Sequence, residues 1–356
     1  MTDHESGSSI TEYTSPDFMK RKKKSFLLLL LPFLLISGCE EMSTQMTGNP
    51  RANFDALWTI LDRNYCFFDY KEIDWDAVYK AYNSRITSEM GNDALFNLMG
   101  EMLVELKDGH VNLTASHDVT RYWKWQDDYP ANFDPSIQKH YLGNEEEYSR
   151  ISGMWYKILE DNVGYIYYGS FTNDVGEGSL DQVLDRLALC KGLIIDVRNN
   201  GGGNLTNVEK ITSRFFNKRT LIGYISHKVG AGHADFSPLF PKYVESSDRV
   251  RYQKPVVVLA NRGCYSAANE FVSIMKSAPQ VTVMGDKSGG GSGLPFSSEL
   301  PNGWSVRFSA SPMFNAKKEH IEFGVEPDHY VSMLKADMEK KKDTIIEAAR
   351  ELIKSQ

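Results

Sequence analysis

Two stretches constrain the fold more than any other part of the chain: "GLIIDVRNNGGGN", from Gly192, and "PVVVLANRGCYSAANE", from Pro255. Each is a short run of apolar, mostly β-branched residues, followed by a glycine-bearing turn and then by the start of a helical pattern. A run that is apolar at every position is a strand buried on both faces. Two such junctions of buried strand, turn and helix belong to an open sheet with helices packed on it. The chain is therefore expected to be α/β. In such sheets ligands gather beyond the carboxyl ends of the strands, where helix N-termini aim N–H groups and partial positive charge into a crevice. Gly201, Gly202 and Gly203 allow close backbone approach there and present amides as a nest for an anion.

Upstream, three segments share a helical period. Phe54, Leu57, Trp58, Leu61 and Tyr65, then Trp75, Val78, Tyr79, Tyr82 and Ile86, then Leu95, Leu98, Met99, Met102 and Leu106 each mark one face of a helix. Asn53, Asp74 and Asn92 are the expected N-caps, and Gly109 suits a left-handed position closing the third helix. Residues 51–114 thus read as a small N-terminal helical bundle that runs into a strand-like "VNL". Residues 115–152 show no period and are expected to form an irregular insert. From 153 to 356 strands and helices interleave. "MWYKILEDNVGYIYYGSF" reads as a hairpin, Ser179 as the cap of a helix, "VTVMG" as a strand, and "SELPNGWSVRF" as a hairpin around Asn302-Gly303. A charged amphipathic helix closes the chain, and the sheet is expected to be mixed.

The beginning of the chain carries a basic run at 20–24, an apolar stretch of about 12 residues where a membrane-spanning helix needs about 20, and then "SGCEE". This resembles the lipobox of bacterial lipoproteins. Residues 1–18 are polar and Met19 directly precedes the basic run, so Met19 is the expected true start; the resemblance implies a leader over residues 1–39, lipidation of Cys39, a tether over 40–50, and attachment to a cell-envelope membrane facing the periplasm or the exterior. A net charge of −7 gives no sign of a nucleic-acid partner. The four cysteines lack metal-ligand spacing, and neither a GxxxxGK[ST] nor a GxGxxG loop occurs, so no metal or cofactor is expected.

Ser266 stands at a strand-to-helix junction, one junction away from the glycine nest. Such a serine either caps its helix or serves as a nucleophile beside an oxyanion hole. The pairing of "DVRNNGGG" with "NRGCYSAANE", followed by "GDKSGGGSG" and extended by "KDGHVNL" and "IEFGVEPD", resembles the tail-specific or C-terminal processing proteases. The resemblance implies a crotonase/Clp-protease-like spiral core behind the helical bundle. It also implies a serine peptidase with Ser266 as nucleophile and an oxyanion hole made by Gly202 or Gly203 together with Ala267.

One branch of that family uses a serine-lysine dyad, but this chain has Gly291 where that lysine stands, and Lys287 is at the wrong offset. It is closer to the branch that includes the tricorn protease core and the interphotoreceptor retinoid-binding protein. The catalytic members of that branch take their base from a histidine at the end of the helical region, a position that falls on His110. Glu322 falls where the branch supplies a glutamate, with Asp108, Glu270 and Asp328 as competing carboxylates. Cys264 precedes the turn, where the family has no reacting atom, and Asp196 with Arg198 is expected to brace the glycine loop. A PDZ domain, common between the two parts in this family, does not fit in 115–150. The function implied is a serine-type endopeptidase acting on polypeptides through an acyl-enzyme. Two other readings stay open. One is a non-catalytic peptide- or lipid-binding lipoprotein on the same scaffold, since the branch contains a retinoid carrier. The other is a crotonase-like acyl-CoA enzyme, which the lipobox contradicts.

Overall fold

The computed structural model describes residues 48–127 and 129–356; the apolar leader, Met19 and Cys39 lie outside the described residues. The two apolar runs form adjacent parallel strands, β5 (Leu193–Asp196) and β8 (Val256–Ala260), with every residue of both buried. On one side β4 (Gly164–Tyr168) pairs parallel with β5; on the other, β9 (Val281–Gly285) pairs parallel with β8 and β12 (His329–Tyr330) with β9. The hairpin strand β3 (Met154–Ile158) and then β2 (Ser149–Ile151) add antiparallel next to β4, giving a mixed seven-stranded sheet.

Successive side chains of a strand point to opposite faces, so the continuous apolar runs serve two cores at once. Ile195, Val256, Val258 and Ala260 join a core built with Val183 and Leu184 of one helix, Val208 and Ile211 of a second, and Phe271 and Ile274 of a third. Ile194, Val257 and Leu259 face the other way, against Ile345, Ile346, Ala349 and Ile353 of the closing helix. Each such aliphatic side chain, fully buried, stabilises the fold by roughly 1.5–3 kcal/mol.

Nine helices are assigned among the described residues. The N-terminal three are α1 (Pro50–Asn64), α2 (Trp75–Asn83) and α3 (Asn92–Val104), and α4 is Pro135–Leu142. The core holds α5 (Glu177–Leu187), α6 (Leu205–Thr212) and α7 (Ala267–Met275), and short α8 (Lys335–Met338) precedes α9 (Thr344–Ser355). No helix among the described residues is long and apolar enough to cross a membrane.

Several local expectations need correction. Asp74 caps α2, but Asn49 caps α1, because Pro50 fits the first helical turn without needing an N–H donor. Asn53 is instead buried one turn inside, and its Oδ1 accepts the Asn302 N–H at 2.9 Å. Asn92 is the first residue of α3 and Gly91 its cap, and Ser179 lies inside α5 behind the cap Gly176. The stretch 115–152 is not wholly irregular: α4 forms there, with Asp134 accepting from the Ser136 and Ile137 amides and proline at its first position.

A second, antiparallel sheet joins the two halves of the chain. Its long strand β11 (Ser305–Asn315) pairs with β10 (Gly293–Glu299), with β1 (Asn112–Thr114) and with β6 (Thr220–Ile225), and β6 pairs in turn with β7 (Phe240–Val244). The helical region therefore does not pack alone. Phe54, Leu57, Leu61, Met99 and Met102 share one core with Leu113 of β1 and Val306 and Phe308 of β11. This β1–β11 pairing carries the residues just before β1 to the head of α7.

Candidate active site

The chain reaches Ser266 along β8 and a turn fastened from the side. Asn261 Oδ1 accepts the amides of Asn199 at 2.9 Å and Gly263 at 3.1 Å, and its Nδ2 donates to Asn199 Oδ1 at 2.7 Å. The Tyr265 amide donates to the Asn200 carbonyl at 3.0 Å, so the two strand-turn-helix loops hold one another. Below them, Asp196 and Arg198 form a fully buried ion pair, 2.6 Å, which Asp343 joins at 2.9 Å.

Ser266 occupies the cap position of α7 yet caps nothing. Its backbone is at φ 58°, ψ −122°, a region costly for any residue with a Cβ, of order 1–3 kcal/mol. Its hydroxyl lies 2.9 Å from His110 Nε2. A serine forced off the helix and onto an imidazole has the geometry of a nucleophile on a sharp strand-to-helix turn.

His110 is buried and comes from the turn between α3 and β1. Lys107, at φ 46°, takes the left-handed position there that was expected of Gly109. Gly109 is needed for space: a Cβ on it would sit 2.9 Å from the Tyr265 hydroxyl and 3.0 Å from Trp125 Nε1. Asp108 sets the turn by accepting the His110 amide at 2.8 Å. Its other oxygen accepts from Tyr65 at 3.0 Å and Ser309 at 2.9 Å and faces Lys71 at 3.3 Å.

Glu322, expected beside His110, is elsewhere in this cluster. It pairs with Lys71 at 2.8 Å and accepts the Ser292 amide at 2.7 Å, but makes no hydrogen bond to the imidazole. Among the competing carboxylates, Glu270 pairs with Lys242, and Asp328 with Lys276 and the Val283 amide, leaving Asp108 as the one bonded to His110. His110 Nδ1 is buried without a hydrogen-bond partner among the described residues.

The electrostatics follow from burial. Desolvation pushes the His110 imidazole down to about 4, with Asp108 opposing and Arg307 and Lys71 adding to the fall. His110 is therefore neutral at neutral pH and able to accept a proton. Lys71 is also buried, yet the two carboxylates outweigh its desolvation and hold it above the ordinary lysine value. It is a fixed ammonium and not a base. Lys287 pairs with Glu326 at 2.9 Å. Burial raises the Cys264 thiol to about 12, and its Sγ donates to the Val197 carbonyl, so it is no rival nucleophile.

The glycine loop closes against the serine. Gly202 is at φ 98°, and a Cβ on it would lie 2.8 Å from Ser266 Cβ and 2.6 Å from the Tyr265 carbonyl oxygen. The Gly202 amide donates to Asn200 Oδ1 at 2.9 Å, which corrects its place as a candidate oxyanion donor. The amides of Gly203 and Ala267 make no hydrogen bond among the described residues. Ser266, His110 and the three glycines open into a cleft of about 420 Å³ that is also lined by Arg121, Trp125 and Arg307.

Residues 162–331 match peptidase family S41, and residues 48–104 match the Tricorn protease C1 domain. A candidate peptidase from Parabacteroides merdae, known from its crystal structure, is 54% identical with a TM-score of 0.82, over 86% of this chain and 96% of that one. The chain belongs to peptidase family S41. Among curated S41-type relatives, the carboxy-terminal processing protease CtpA of Bacillus subtilis is 26% identical over 55% of this chain and 39% of its own length. The chain thus aligns with about two fifths of that relative. Mature CPAF, solved in complex with lactacystin, shares the fold at 11% identity with a TM-score of 0.66, over 87% of this chain and 98% of that one. The mixed sheet, N-terminal helices and second sheet described above are this S41 fold.

Some site residues escaped the motifs. Lys71 sits in the turn after α1, among aromatics and without a period, and nothing in its neighbourhood marks it as a partner of Asp108. Arg121 and Trp125 lie in the stretch without periodicity, and Arg307 is an ordinary outward position of a hairpin strand. Asp108 alone carried a usable signal: an aspartate two residues before His110 can accept that residue's amide and fix the turn.

Proposed function

We propose that the protein is a serine endopeptidase that cleaves polypeptides through an acyl-enzyme, with Ser266 as nucleophile and His110 as general base. The 2.9 Å approach of His110 Nε2 to a Ser266 hydroxyl held off its helix carries this reading. His110 takes the hydroxyl proton as Oγ attacks the scissile carbonyl, then gives it to the departing amine, and water repeats the cycle on the ester. The developing oxyanion accepts from the amides of Ala267 and Gly203, donors of a kind whose loss costs about 10²–10³ in turnover. Asp108 fixes the turn that presents the imidazole and supplies the negative charge that favours the transient imidazolium. Glu322 acts one step removed, by sharing Lys71 with Asp108. Hydrolysis of an internally quenched peptide that follows the Ser266 hydroxyl would test the assignment; turnover undiminished in Ser266→Ala would end it.

The proton balance has a measurable signature. His110 must be neutral to act, and its burial places that requirement near pH 4. The acid limb of kcat/KM is therefore expected near 4, and not at the ordinary imidazole value of about 6.5. Activity should stay flat as the pH falls from about 8 to about 5. A limb at 6.5 or above would mean that the imidazole is solvated or held charged. Asp108, Arg307 and Lys71 are the charged groups acting on it.

The lipobox resemblance supports placing this peptidase at a membrane surface, tethered through a lipidated Cys39. Expression of the full chain in bacteria is expected to leave it in the membrane fraction, and Cys39→Ala to release it. An unmodified Cys39 in the mature protein by intact-mass analysis would remove the anchor.

A further inference from the structure

The cleft at Ser266 is cationic in a chain whose net charge is −7. Arg121 and Arg307 line it, and among the described residues no aspartate or glutamate does. Both arginines are exposed, and neither side chain forms an ion pair or hydrogen bond with a described residue, although the side chains of most other described arginines do. Arg121 rests near the Trp123 ring, 5.6 Å from its centroid, which guides the side chain without neutralising it.

Arg307 can be placed relative to the chemistry. It is the register partner of Asn112 across the β1–β11 pair, and Asn112 is two residues beyond His110. Paired residues of antiparallel strands share a face, and both of these line the cleft. His110 hands its proton to the departing amine, so groups beside it face the leaving part of the substrate. A guanidinium there that no described residue pairs is a fork for a carboxylate, which it can hold by two parallel charge-assisted bonds.

We propose that this cleft selects substrates carrying a carboxylate close to the scissile bond on the leaving side, held by Arg307 with Arg121 adding to the field. The inference rests on the peptidase reading and names the substrate class of that same site. Two sources supply such a carboxylate: an Asp or Glu side chain within an acidic segment, or the C-terminus of a short released fragment. The side chain is the source expected for an endopeptidase.

The test uses the purified full chain at about pH 8, well above the titration of His110, so that changes in its protonation do not enter. Internally quenched peptides with Asp against Asn, and Glu against Gln, at the first positions after the cleaved bond are compared. A second set carries a free or an amidated C-terminus. Side-chain selection should raise kcat/KM for the acidic member about tenfold to a hundredfold, the size of a charge-assisted bond. Arg307→Gln should collapse that ratio towards one, and Arg307→Glu should invert it in favour of Lys-bearing peptides. A preference that follows only the free terminus would assign the same fork to chain ends.

Labelling of Ser266 by a fluorophosphonate runs alongside, with the same peptides as competitors. Labelling without discrimination between acidic and neutral peptides, or a ratio unmoved in Arg307→Gln, overturns this inference and leaves the peptidase reading standing. Failure of labelling itself overturns both.

Discussion

Replacing Ser266 by alanine is expected to lower kcat/KM by about 10⁴-fold or more, and replacing His110 by alanine to lower it nearly as much, with the double variant no worse than either single one. In the proposed mechanism the two side chains act as one unit across a single 2.9 Å contact, so removing either would end proton transfer. What remains is the contribution of the oxyanion donors and of substrate binding. Ser266→Ala keeps the Cβ and the unusual backbone angles, so its thermal transition should match the parent and separate lost chemistry from lost fold. Additive losses in the double variant would show that the two side chains work independently, contrary to the mechanism.

The second large effect is on stability. Lys71 lies between Asp108 at 3.3 Å and Glu322 at 2.8 Å, with all three side chains at most 4% exposed. Lys71→Met keeps much of the bulk but leaves two carboxylates buried without a cation, a change expected to cost about 3–5 kcal/mol, read from the denaturant midpoint. Without the ammonium, protonation is the only way to neutralise the pair, so the defect should shrink as the pH is lowered. Burial already raises Glu322 above the ordinary carboxylate value, so it is the first to take the proton. Lys71→Met/Glu322→Gln should therefore recover part of the loss at neutral pH. A Lys71→Met midpoint equal to the parent's would mean that the cluster is open to water.

The legible parts of the molecule were those in which local chemistry and tertiary role coincide. β5 and β8 are apolar at every position because both faces are covered, and the turn after β8 places Ser266 at a helix head whatever lies around it. Capping was legible at Asp74 and not at Asn49 or Asn53, because an asparagine that can cap a helix can equally accept from a distant turn, as Asn53 does from Asn302. Of the second sheet only the β10–β11 hairpin was legible; its union with the helical region was not, since β1 is three residues long and pairs with β11, almost two hundred positions away.

The same non-locality explains the carboxylates. A motif orders Asp108, His110 and Glu322 along the chain, but which oxygen meets which donor depends on Lys71, Ser292 and Ser309, brought in from a turn and the second sheet. Gly202 illustrates a finer limit. The need for glycine beside Ser266 was readable, whereas the commitment of its amide to Asn200 depends on the fold of the loop.

Whether His110 activates Ser266 is read from the rate at which a fluorophosphonate becomes attached to the full chain, with the modified residue located by peptide mass spectrometry. A single adduct is expected on Ser266 in the parent, and loss of that adduct in His110→Ala at equal folded concentration. Ser266 unmodified in the parent, or modified as fast in His110→Ala, would contradict it.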